Sequence, residues 1–208
     1  MALDNPMQSL RASAVLVAMS ALVLLGYGYG AEQDPLIEGF KSVASHARAG
    51  DWAESQSALQ VLEPSLAEIR NVLGVDVGPA LRESIRARSS EALAEQLARL
   101  AYLAIGVKLE SCQREELAHY YAAKYRVEAA RIYYMEMLAP SVRRDPAHGA
   151  SRHLEIGAAF DAARSALGRP GFLGRGVEAP DREAFAVAMK RLTGTLRDAF
   201  PFLPEVRP

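Results

Sequence analysis

From Asp34 onward, apolar positions recur every three to four residues. That is the spacing of a helix with one buried face, and nothing alternates for long with the period of two that a half-buried strand needs. The stretch "DPLIEGFKSVASHARAGDWAESQSALQVLE" (34–63) predicts a helical hairpin. Its first helix ends near Ala49, Gly50 supplies a left-handed cap and Asp51 caps the next helix. Trp52, Leu59, Leu62 and Leu66 share one stripe, which predicts a buried Trp52. Pro64 has no N–H and must kink or restart the helix. "GVDVGP" (74–79) reads as a turn and "ALRESIRAR" (80–88) as a short helix. Ser89 or Ser90 caps a longer one, in which Leu93, Leu97, Leu100 and Ala104 step by four, three and four.

The pattern continues with "REELAHYYAAKYRVEAARIYYMEML" (114–138), read as one helix ending at Pro140. "SVRRDPAHGAS" (141–151) reads as a loop, "RHLEIGAAFDAARSAL" (152–167) as a helix stopped by Gly168, and "GRPGFLGRGVEAPD" (168–181) as an irregular connection. Asp181 caps a last helix that Pro201 ends. The expectation is an all-α chain, an antiparallel bundle of about six or seven helices. The hairpin has no second copy at a fixed spacing, which argues against a solenoid.

The N-terminus breaks this pattern. Ala12 to Ala31 carries no charge, Arg11 precedes it and Glu32 follows it. A basic start, an apolar core and a small-residue exit predict a signal peptide over residues 1–30, cleaved before Ala31, with the bundle over 31–208. The rival is an uncleaved anchor, since about 20 apolar residues can cross a bilayer. Its dense core, Ala14 to Leu25, is short, and "GYGYG" is a poor end for a membrane helix. Both readings place the rest of the chain in an exported space, the bacterial periplasm or another, with the membrane touched only through this segment if it stays uncleaved.

Composition narrows the function classes. A net charge of −1 over 208 residues lacks the basic face of a nucleic-acid binder. The single cysteine, Cys112, excludes an internal disulfide and any two-cysteine motif for haem or zinc. With no base apparent near it, Cys112 reads as a small buried residue. Nothing matches a nucleophile elbow or a His-Glu-x-x-His motif, and no enzymatic activity is expected.

Candidate chemistry gathers in residues 114–138. At about 100° per residue this stretch carries two apolar faces. One holds Tyr120, Ala123, Val127, Ala130, Tyr134, Met137 and Leu138. The other holds Leu117, Tyr121, Tyr125, Ile132 and Met135. Two such faces predict a central helix with neighbours on both sides. Glu128 is expected to reach an arginine on another helix. Glu116 and His119 fall on the first arc with metal-ligand spacing, since residues three apart share a helix face and carboxylate with imidazole suits iron or another divalent metal. No second Glu-x-x-His follows, so an internal polar contact is the first expectation and a metal the alternative.

Two other segments attract notice. Phe172 and Leu173 sit among glycines in the long connection, where a plain linker needs no apolar residues, and are candidates for partner contact. Arg143, Arg144, His148 and Arg152 form a basic cluster expected to be solvated. Together these features predict an exported, non-enzymatic binding or accessory protein with a protein partner and no cofactor. The alternative is an iron-handling accessory protein using Glu116 and His119.

Overall fold

The computed structural model describes residues 34–115, 117–171 and 176–204. The signal or anchor reading of residues 1–30 lies outside them. From Pro35 the chain forms a compact helical unit. Among the described residues there is no strand, only an isolated bridge between Arg169 and Glu178, and no helix long and apolar enough to cross a membrane.

Helix α1 (Pro35–Ala49) begins with proline, whose missing N–H is unneeded in a first turn. Leu36, Ile37, Val43 and Ala47 are its buried face. Gly39 lies on that face, where an added Cβ would come within 2.6 Å of the Leu62 side chain. Gly50 turns the chain with φ +80°, and the Asp51 carboxylate accepts from the Glu54 N–H at 3.3 Å to start α2 (Trp52–Ala58). Trp52 is half-buried instead of buried. It is the first residue of α2, directly after the turn of the hairpin. The chain tightens into a 3-10 turn (Leu59–Leu62) and restarts as α3 (Glu63–Leu73), with Pro64 in its first turn as its chemistry requires. After α4 (Gly78–Arg86), Ser89 Oγ accepts from the Ala92 N–H at 3.2 Å and caps α5 (Ser90–Arg114).

The 25-residue α5 is the axis of the fold. It touches α1, α3, α4, the next helix, the last helix and the turn at residues 134–138. Its middle is buried all round, from Leu100 through Ala101, Tyr102, Leu103 and Ala104 to Ile105. A helix apolar on every side belongs inside a bundle, so the central position expected for residues 114–138 belongs to α5.

Residues 114–138 are not one helix. The chain breaks after Arg114, Leu117 takes φ +57°, and α6 runs Tyr120–Tyr133. A left-handed leucine is unfavourable by about 1–2 kcal/mol. Here its side chain is buried, and its N–H donates to the Cys112 carbonyl at 3.1 Å. Beyond α6 lie a π turn (Tyr134–Leu138) and the short α7 (Ala139–Val142). Pro140 cannot donate to the Glu136 carbonyl and its ring would strike it; the wider turn accommodates both constraints without ending the helix. The loop expected over 141–151 is correspondingly shorter, because α8 (Gly149–Ser165) begins before Arg152. Gly168 then turns with φ +70°, and a Cβ there would overlap the Glu178 carbonyl. Asp181 caps α9 (Arg182–Ala199), its carboxylate accepting from the Ala184 N–H at 2.8 Å. Helices α8 and α9 pack along each other.

Candidate functional site

Helix α6 has two unlike faces. Ala123, Val127, Ala130 and Tyr134 are buried against α5 and α8, as the spacing predicts. The second face was expected to be covered as well, and it is open. Tyr121 is 65% exposed, Tyr125 55% and Met135 40%, with Ile132 half-buried between them. Leu117, assigned to this face, turns into the core through the break before α6. Tyr121, Tyr125, Ile132 and Met135 lie along one side of α6 and the start of the π turn, with Glu128 among them, over about 21 Å at 1.5 Å per residue.

Charges border the stripe and hold α6 in place. Glu128 accepts from Arg164 of α8 at 3.3 Å, the interhelical partner its position predicted, and Arg131 donates to Asp161 at 3.1 Å. Arg126 grips Glu115 with two nitrogens at 2.5 and 2.7 Å, tying α6 to the preceding connection. That guanidinium holds the Glu115 carboxyl below the ordinary carboxylate range. Lys124 lies 6.0 Å from the Tyr120 ring centre and has no ion-pair partner among the described residues.

Behind the stripe, Tyr134 reaches a polar network. Its hydroxyl lies 2.8 Å from His153 Nδ1, and Arg143 lies 2.9 Å from His153 Nε2. A guanidinium only donates, so Nε2 is the acceptor and the imidazole is neutral with its proton on Nδ1. The Tyr134 oxygen therefore accepts from His153. Burial, reinforced by the charge of Arg143, lowers the His153 pKa. Burial pushes the Tyr134 phenol up to about 12. The sequence offers no signal for this network, because its members come from the π turn, the 143–148 connection and α8.

His119 is exposed and occupies the position before the first residue of α6. Its expected lean into a packed interface is therefore not what the chain does: the helix that would have turned it inward begins one residue later. Glu116 lies outside the described residues. Among those described, no three of His, Cys, Asp and Glu gather as a metal site would need. Cys112 is buried, and its burial pushes the thiol up to about 11. Phe172 and Leu173 also lie outside the described residues. The neck of their connection is closed by paired backbone bonds between Arg169 and Glu178, at 2.9 and 3.0 Å. The basic cluster is divided: Arg152 binds Asp145 at 2.5 Å, Arg143 engages His153, and Arg144 has no ion pair among the described residues.

Compared with known protein families, curated proteins and solved structures, the chain matches none.

Proposed function

We propose that this is an exported, non-enzymatic accessory protein that works by binding, and that the outer face of α6 receives an amphipathic helix of a partner protein. The observation that carries the reading is the exposed run of Tyr121, Tyr125 and Met135 on a helix whose other face is fully packed. Tyrosine gives a large contact area and a hydroxyl at small conformational cost, which suits an interface that must stay soluble when empty. The stripe's spacing is that of a helix-in-groove contact, with anchors at intervals of three and four. Lys124, without an ion pair at its border, calls for an acidic residue on the partner. Both ring nitrogens of His153 are engaged, so the imidazole has no free atom to take a proton from a substrate. The charge-free segment before Glu32 supports export.

The test is a photo-crosslinking aromatic at position 125 in cells, with the crosslinked residue of the partner identified. The expected product joins position 125 to an apolar position of an amphipathic helix, and Ile132→Glu abolishes it. A crosslink to a second copy of this chain would replace the reading with self-association. Intact-mass measurement of periplasmic protein tests export, with a start at Ala31 expected.

A further inference from the structure

A cleft of about 360 Å³ opens between α1, the start of α5 and the π turn. It lies apart from the exposed tyrosines. Phe40 and Ala44 of α1, Leu97 of α5 and Met137 of the π turn form its apolar side, and Ser45 and Ser141 also line it. The space exists for a local reason. Ala44 offers only a methyl group where a longer side chain would fill the gap. The π turn moves its residues off the regular helical track, a distortion often found at binding sites.

The charges around this cleft do not balance. Lys41 of α1 binds Glu136 of the π turn at 2.6 Å, so the one carboxylate that lines the cleft among the described residues is already neutralised. Arg48 and Arg144 also line it, and neither has an ion pair among the described residues. They come from different elements, α1 and the segment after α7, and they give a partly apolar cleft two uncommitted guanidiniums. Guanidinium groups bind carboxylates through paired, charge-assisted hydrogen bonds. The volume lies at the lower end of the range for small-molecule sites.

We infer that this cleft binds a small organic acid, its carboxylate on Arg48 and Arg144 and its short apolar tail against Phe40, Ala44, Leu97 and Met137. A purely polar anion would leave the apolar walls unused. The acid satisfies both halves of the site.

Calorimetric titration of the whole protein with octanoate tests this, with octanol, acetate and phosphatidylglycerol vesicles as comparison probes. Octanoate is expected to bind saturably with one site. Octanol and acetate should each bind at least about tenfold more weakly, the effect of losing one charge-assisted contact or the apolar contact. Arg48→Gln with Arg144→Gln removes two exposed charges and should weaken octanoate by about tenfold or more with an unchanged melting temperature. Ala44→Leu fills the cavity and should weaken octanoate and octanol alike. Equal binding of octanol and octanoate, full affinity in the double arginine variant, or no saturable octanoate binding overturns the inference. Binding to the vesicles without binding to octanoate would reassign the arginines to a membrane surface and overturns it as well.

Discussion

Tyr134 and Tyr121 lie thirteen positions apart on one continuous helical path and have opposite fates. Tyr134 is 1% exposed, stacked on His153 and tilted against Phe160, with its hydroxyl bonded. Tyr121 is 65% exposed, and its ring meets the Tyr120 ring edge-on. The difference lies in which helix is the neighbour. Packing of α8 and α5 against one side of α6 uses Tyr134 as core, while the other side leaves Tyr121 and Tyr125 more than half exposed. Residue type alone therefore says little here; the same phenol is structural on one face and available on the other.

The comparison is broken most severely by Tyr134→Ala, which should destabilise by about 3–5 kcal/mol in chemical denaturation, as for other buried aromatic residues. A loss below about 1 kcal/mol would mean the ring is not core. Trp52→Ala should fall below that range, because the ring is only half-buried. Tyr134→Phe keeps the ring but removes the acceptor of the half-buried His153 Nδ1 proton, at about 0.5–1.5 kcal/mol.

The pH dependence follows from the same network. His153 has a lowered pKa when folded, so the unfolded chain takes up its proton first, near pH 6.5. The stability it contributes is complete above about pH 6.5 and is lost as the pH falls through the folded pKa. Melting temperatures measured between about pH 7 and about pH 5 should fall in the wild type and fall less in His153→Gln. Equal falls in both would detach His153 from the effect. The smallest effect belongs to the other face. Tyr121→Ala and Tyr125→Ala should each change stability by no more than about 0.5 kcal/mol, while partner crosslinking at the stripe drops. A large loss of stability there would show that the open face is a covered one.

Most of the architecture was legible because its signals are local. The caps at Asp51, Ser89 and Asp181, the turns at Gly50 and Gly168 and the restart at Pro64 each depend on one residue's own stereochemistry and its nearest backbone groups. The Glu128 to Arg164 pair was half legible, since one helix face pointed the carboxylate outward but only the fold supplied the arginine. The break before α6 was not legible. It has no glycine or proline to announce it, and it persists because Leu117 is buried in a conformation that leucine alone would avoid.

The chain by itself determined that it is helical, where most helices begin and end, and which residues of α6 form two apolar faces, because those properties follow from periodicity and backbone chemistry within a few residues. Only the tertiary structure decided which face is covered. It made α5 the axis, set His119 outside a helix, joined Tyr134 to His153 and Arg143, and left two arginines beside an apolar cleft. Those outcomes depend on contacts between residues far apart in sequence, and periodicity fixes a side chain's direction around its own helix without saying what stands opposite.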